Sequence, residues 1–594
     1  MCGIIGANRF YKNFLDSLNI MDKRGPDNSS VYNIDNNYFG HTRLSIIDLD
    51  KEANQPMVFD DIVIVFNGEI YNYKELIKEY NLQCVTSSDT EVLIRLYLRY
   101  GIKMLNKLNG AFAFCIYDIK QNRYFCARDR YGKKPFYYYF KDNKFIFSSM
   151  IKPIIALLGS TPNLNKVALS QYLQFFTPLA PNTFYQDIFK LPSGSYMIFE
   201  NNQLSIKKYY KIDFRKTIFS EDEAVKQIEQ TLLKSVELRL ISDVEVGSLL
   251  SGGIDSSLIS SMYSKLTNHK INTFSIGYKD HTKYSELPYA KTVSKYINSN
   301  HTQIELTKSN FIDSLDEVFS TMEEPHGDPA AIPLYHLSKT IHNQGIKTVL
   351  SGEGSDEIFL GYDNYSKFYQ YYQFKQSLTS TQQQFLKQNI FNSKTTTKEM
   401  EYLKRVLNND MIYNSFAEVF TYNQKKLLFK KLPTFKYEIE KKNCVDWMSY
   451  IDLKVWLGEA LLSKVDKILM ANSVENRNPF LDYHLVNLSF KIDSKLKLGD
   501  TNKYLLKKVA SKYIPQEIIN RQKKGFNSPY NEWLFEEYKD NLLQTILKAN
   551  QKHNLFNEEY IYIIYNQAKN NKFKQHFYLL WNFSRWYLCN IAKN

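Results

Sequence analysis

In the first half of the chain, apolar positions alternate with polar ones or run in short blocks, the two signatures of strands. Residues 62–66 form an apolar, β-branched run, 41–47 alternate, and 136–140 and 144–148 read as further strands. Helical spacing is rarer. Ser88-Asp89-Thr90-Glu91 has the form of a capping box, after which Val92, Leu93, Leu96, Tyr97 and Tyr100 share one face until Gly101 stops the helix. Asn67-Gly68, closing the apolar run, reads as a turn. Many strands with few helices predict a layered α+β unit over residues 1–212.

The pattern changes at Ser220-Glu221-Asp222-Glu223, a second capping-box sequence whose helix carries Val225, Ile228, Leu232 and Val236 on one face. Beyond it, strand-like runs at 246–250, 273–276, 302–305 and 347–350 alternate with helical stretches at 288–297, 311–322 and 334–342. This predicts an α/β parallel sheet with helices on both faces, within residues 220–594. Ligands of such sheets bind beyond the carboxyl ends of the strands. Two glycine-bearing loops fall there, Ser-Gly-Gly-Ile-Asp-Ser-Ser at 251–257 and Ser-Gly-Glu-Gly-Ser-Asp-Glu at 351–357. A strand, then glycines, then a helix N-terminus makes an anion site, because unpaired N–H groups and the helix dipole face outward. The first loop lacks the Walker A spacing and lysine. Asp255 beside a phosphate-binding turn suits Mg²⁺. If the two strands are neighbours, Asp255 and Asp356 share that metal; otherwise Asp356 is a plain helix cap.

Composition narrows the classes. At 44% hydrophobic and 23% charged, the 594 residues read as an ordinary soluble protein. A net charge of +14 raises RNA or a membrane as partner, but the lysines are scattered and no run of five or six basic residues occurs. No apolar run approaches the ~18 residues of a transmembrane helix, and the N-terminus lacks the layout of a signal peptide. Six scattered cysteines suit neither a disulfide framework nor a CxxC metal site. The expected location is cytoplasmic, with no nucleic-acid and no membrane partner. One cysteine stands apart. If Met1 is removed, Cys2 carries both a thiol and a free α-amine of pKa near ~7.7–8.0, so that nucleophile and base sit on one residue.

Met-Cys-Gly-Ile at 1–4, Arg-Gly-Pro-Asp at 24–27, His-Thr-Arg-Leu-Ser-Ile at 41–46, Asn-Gly-Glu-Ile-Tyr-Asn at 67–72 and Ser-Asp-Thr-Glu at 88–91 together resemble the Ntn-type glutaminase domain of class II glutamine amidotransferases. The resemblance implies that Cys2 attacks the glutamine side-chain amide, with its own amine as base. Asn67 and the Gly68 N–H would form the oxyanion hole, Arg43 would hold the α-carboxylate of glutamine, and Asp89 with Glu69 the α-ammonium. The two loops of the second half, with Asp-Pro-Ala-Ala-Ile-Pro at 328–333, Leu-Ser-Lys-Val-Asp-Lys at 462–467, Arg-Asn-Pro-Phe-Leu-Asp at 477–482 and Arg-Gln-Lys-Lys-Gly-Phe at 521–526, resemble the ATP-pyrophosphatase-type synthetase domain of the glutamine-hydrolysing asparagine synthetase family.

That family implies ATP and Mg²⁺, glutamine and aspartate, and leaves room for a homodimer. ATP would lie against Leu250, Ser251, Gly252, Gly253, Asp255, Ser256, Ser257, Ile276, Ser351 and Gly352, with the metal on Asp255 and Asp356. Glu353 would take a proton from attacking ammonia, and Lys503 would stabilise the adenylation transition state. Two active sites on one chain imply an apolar passage for ammonia between them. Two alternatives stay open: the same chemistry on another carboxylate, such as a sugar acid, and a tRNA-binding ATP pyrophosphatase, which shares the Ser-Gly-Gly-x-Asp-Ser pattern.

Overall fold

The computed structural model describes residues 2–391, 397–436, 443–522 and 528–592. The first half is built from two six-stranded antiparallel sheets stacked face to face. One runs Ile188–Lys190, Tyr137–Lys141, Lys144–Ser148, Gly3–Ala7, Asn37–Arg43, Asn28–Ile34. The other runs Gln203–Lys208, Ser195–Glu200, Arg123–Arg128, Gly110–Asp118, Ile62–Ile70, Met57–Phe59. The period of two sorts the side chains of Ile62–Ile70. Val63 and Val65 point between the sheets, joining Ile4, Phe39, Cys115 and Phe147 in the inner core. Ile62, Ile64 and Phe66 point outward onto the helix Asp89–Tyr100, against Val92, Leu93 and Leu96. The opposite sheet is covered by the helices Phe14–Asn19 and Ile151–Leu158. The result is the layered α+β architecture expected from the sequence.

Two local readings are corrected. Asn67-Gly68 is not a turn: the strand continues to Ile70, with Asn67 opposite Ala113 and Gly68 opposite Phe112. Gly68 is needed for close approach, since a β-carbon there would collide with the Ala111 carbonyl. The capping box at Ser88 is half formed. Ser88 accepts the Thr90 N–H, but the Glu91 carboxylate turns to the N–H groups of Val85 and Thr86.

The second half begins with the helix Glu221–Arg239, capped by Ser220. Its sheet is wholly parallel, in the order Asn300–Leu306, Asn272–Tyr278, Val246–Leu249, Thr348–Leu350, Glu475–Arg477. The first strand in sequence therefore lies in the middle, and the chain winds outward one way and then the other. The winding reverses between Val246–Leu249 and Thr348–Leu350, the position where such sheets bind ligands. The described residues of the stretch 365–445 include the helices Asp363–Ser377 and Lys398–Asn408. Residues 523–526 of the Arg-Gln-Lys-Lys-Gly-Phe motif lie outside the described residues, as does Met1. Among the described residues no helix is long and apolar enough to cross a membrane.

Candidate active sites

The first site forms where the two sheets of the first half meet their edge loops. Cys2 opens the strand Gly3–Ala7 and is buried. Its N–H donates to Asn67 Oδ1 at 3.1 Å, while Asn67 Nδ2 makes only a long contact, 3.5 Å, to Ser149 Oγ. Cys2, Arg43, Gly68, Glu69 and Asp89 line one pocket. Arg43 is anchored there by the carbonyls of Ile47, Asp48 and Asp50 and by Asn54 Oδ1 at 2.7 Å. Asp89, in the first turn of its helix, accepts the Ile70 N–H at 2.8 Å. Burial sets the charges. It raises the Cys2 thiol, so the sulfur rests protonated and needs a base. It pushes the Asp89 carboxyl up to about 7 and raises Glu69 as well. The pocket thus sets a guanidinium beside two carboxyls whose ionisation an added cation would favour. A zwitterionic amino acid supplies one.

The second site lies at the reversal point of the parallel sheet. Loop 251–257 leaves the strand Val246–Leu249 and enters the helix Ile254–Leu266. Loop 351–357 leaves the adjacent strand and enters the helix Ser355–Phe359. The loops touch: Gly352 has no room for a side chain, because a β-carbon would stand 2.8 Å from Asp255 Cβ. Ser355 Oγ donates to Asp255 Oδ1 at 2.6 Å. Lys503 closes the cluster, its Nζ 2.5 Å from Asp255 Oδ2 and 2.7 Å from Asp356 Oδ1. Burial alone would lower the Lys503 ammonium, but the two carboxylates outweigh it and hold it above the usual lysine range. Leu250 and Ile276 are buried beside the loop, and Ser256 Oγ braces the Ser251 N–H at 3.1 Å. Glu353 is half-buried, its carboxyl pushed up to about 7 by burial.

Several residues at these sites escaped sequence reasoning. Gly361 is one: a β-carbon there would strike both the Asp356 carboxylate and Lys503. Arg24 is another. Its Nε donates to the Cys2 carbonyl at 3.2 Å, and its NH1 meets Asp466 Oδ2 of the second half at 2.9 Å, both side chains buried. The glycine after Leu360 and the arginine of Arg-Gly-Pro-Asp were both visible, but nothing local says what either packs against. One pocket lies between the two halves. Phe136 and Tyr137 line it together with Arg128, Lys133, Lys190, Glu459 and Asp466, and Lys190 pairs with Glu459 at 3.4 Å.

A glutamine amidotransferase domain family matches residues 1–210, and the asparagine synthase family matches residues 227–588. The chain belongs to the asparagine synthase family. Its relatives include asparagine synthetase [glutamine-hydrolyzing] 1 of Bacillus subtilis, 32% identical over 94% of this chain and 92% of the relative. Asparagine synthetase [glutamine-hydrolyzing] 3 of the same organism is 28% identical over 94% of each chain. Amidase chry2 of Gibberella zeae is 27% identical over 90% of this chain and 87% of the relative. The chain is accordingly an enzyme of the glutamine-dependent amidating, ATP-using type, with an N-terminal amidotransferase unit and a C-terminal synthase unit.

Proposed function

We propose that this enzyme converts L-aspartate to L-asparagine in the cytoplasm, with glutamine as nitrogen donor and ATP cleaved to AMP and diphosphate. Residues 1–212 hydrolyse glutamine and residues 220–594 form the amide. Cys2, freed of Met1, attacks the glutamine amide carbon, and its α-amine takes the thiol proton and returns it to the departing ammonia. The Gly68 N–H and the Asn67 side-chain amide face the oxyanion, worth about 2.7–4 kcal/mol for a single donor. Arg43 holds the α-carboxylate, and Asp89 with Glu69 the α-ammonium.

At the second site the 251–257 loop, with Leu250, Ile276, Ser351 and Gly352, cradles ATP. The aspartate β-carboxylate attacks the α-phosphorus, displacing diphosphate and forming β-aspartyl-AMP. A carboxylate is a poor electrophile, and AMP makes the leaving group that ammonia requires. Lys503 stabilises the charge on the phosphoryl oxygens during adenylation. Glu353 accepts a proton from ammonia as the C–N bond forms and the C–O bond to AMP breaks. A carboxyl near 7 suits a base working at neutral pH.

The convergence of Asp255 and Asp356 on one ammonium fits Mg²⁺, which is held by one or two carboxylates together with substrate phosphates. Bound there, the ion would neutralise triphosphate charge; Asp255 and Asp356 would hold it.

The reading is carried by one observation: two glycine-bearing loops meet at the reversal point of a parallel sheet with their aspartates on a shared lysine. The test is pyrophosphate release from ATP with Mg²⁺ and glutamine, with and without aspartate, and mass spectrometry of the products. Aspartate-dependent release with asparagine and AMP supports it. Glutamine hydrolysis indifferent to aspartate transfers the same chemistry to another carboxylate, the second reading.

A further inference from the structure

The glutamine pocket borrows a residue from the other half of the chain. Arg477, at the end of the outermost strand of the parallel sheet, is fully buried. Its Nε donates to Glu475 Oε1 at 2.7 Å, and its NH1 to the carbonyls of Arg239 and Ile241 at 2.8 and 2.7 Å. These bonds fix the plane of the guanidinium. The remaining nitrogen, NH2, is buried with no hydrogen-bond partner among the described residues, and stands 3.6 Å from Glu69 Oε1. Glu69 Oε2 is likewise buried with no hydrogen-bond partner among the described residues, and Glu69 lines the pocket that Cys2 also lines. A cation of the second half thus stands against one oxygen of a side chain that lines the glutamine pocket.

The next residue faces the other site. Asn478 Nδ2 donates to Ser351 Oγ at 3.0 Å, and the Ser351 N–H donates to the Arg477 carbonyl at 3.0 Å. Four residues further, Asp482 returns to the first half, accepting from Asn109 Nδ2 at 2.8 Å. Asn109 directly precedes the strand Gly110–Asp118, whose Gly110 and Ala111 pair with Ile70 and Glu69. Segment 475–482 therefore grips the corner carrying Gly68 and Glu69 at two points and the ATP-side loop at a third.

We infer that segment 475–482 couples the two active sites: Arg477 positions Glu69 for the ammonium of glutamine, and Asn478 makes that position depend on the loop at Ser351. This rests on the assignment of the two sites above and adds that their ligands bind with mutual dependence. A shift of Ser351 on nucleotide binding moves the Arg477 carbonyl and the Asn478 side chain together, and Arg477 carries it to Glu69. Linkage then requires the effect to be reciprocal, with glutamine changing ATP affinity by the factor by which ATP changes that of glutamine.

The test uses the full chain with Cys2→Ala, so that glutamine is bound and not consumed, and titrates Mg·ATP calorimetrically with and without saturating glutamine. Glutamine is expected to tighten ATP at least about fivefold. Adding Asn478→Ala, a mild change at one hydrogen bond, should bring that factor to one while leaving glutamine affinity in the absence of ATP within about twofold. Arg477→Lys, which keeps the charge and shortens its reach, should weaken glutamine about tenfold and leave ATP affinity measured alone unchanged. A coupling factor of one in the parent, or a factor surviving Asn478→Ala, overturns the inference while the two-site assignment stands. Failure of ATP to bind the parent at all overturns both.

Discussion

Lys503 Nζ stands 2.5 Å from Asp255 Oδ2, joining helices that begin 250 residues apart in the chain. The same ammonium reaches Asp356 at 2.7 Å, so one cation balances the carboxylates of both loops. Its removal leaves two half-buried acids with no shared cation. Lys503→Met should therefore lower aspartate-dependent pyrophosphate release by about 10²–10³, the scale for loss of one transition-state electrostatic group. Glutamine hydrolysis at the other site should persist. Lys503→Arg should recover little, because the approach past Gly361 has no spare volume. Pyrophosphate and glutamate are measured in parallel on each variant, and equal loss of both would refute separate sites.

Cys2 and Asn67 should affect only the glutamine-driven reaction. Cys2→Ala abolishes it and leaves activity with added ammonium. Asn67→Ala should lower kcat for glutamine by about 10²–10³, since the proposed mechanism makes its amide one oxyanion donor. Loss of ammonium-dependent activity in either folded variant would contradict the assignment. Intact-mass measurement of the purified protein should show the chain without Met1.

Glu353 and Asp89 each ionise near pH 7, but in different assays. A base must be deprotonated to work, so ammonium-dependent turnover, corrected for the free ammonia present, should rise about tenfold per pH unit below 7 and level off above it. Glu353→Gln should remove that limb with the activity. Asp89 must be ionised to meet the ammonium of glutamine, so KM for glutamine should fall as pH rises through the same range. Asp89→Asn should flatten the KM profile and leave the ammonium profile unchanged. A limb common to both assays that survives Glu353→Gln would rule out Glu353 as the base.

Arg24 and Asp466 form a buried ion pair between the halves. Removing one partner strands the other charge, at a cost of about 3–5 kcal/mol. Arg24→Met and Asp466→Leu should each lower the midpoint of denaturant unfolding, and the double variant should be less destabilised than the sum of the two. Because Arg24 also holds the Cys2 carbonyl, Arg24→Met should reduce glutamine-dependent kcat more than ammonium-dependent kcat. An additive double variant would show that the pair contributes nothing.

The layered first half and the parallel second half were legible in the sequence, because strand alternation and strand–helix alternation follow from local burial. The two glycine-bearing loops with their aspartates were legible too, as strand-to-helix connections, whereas Cys2 stood out only through the motifs that follow it. The Asn67-Gly68 turn was misread for the same local reason. Asn-Gly favours a turn in isolation, but a full register of bonds with Gly110–Asp118 holds it extended. Tertiary structure alone decided that the two aspartate loops are neighbours, that Lys503 lies between them, and that Arg24, Gly361 and Arg477 belong to the sites. Each of these depends on contacts between residues tens to hundreds of positions apart. Periodicity and turn chemistry act over a few residues, and the partner of a buried charge is chosen only when distant surfaces close around it.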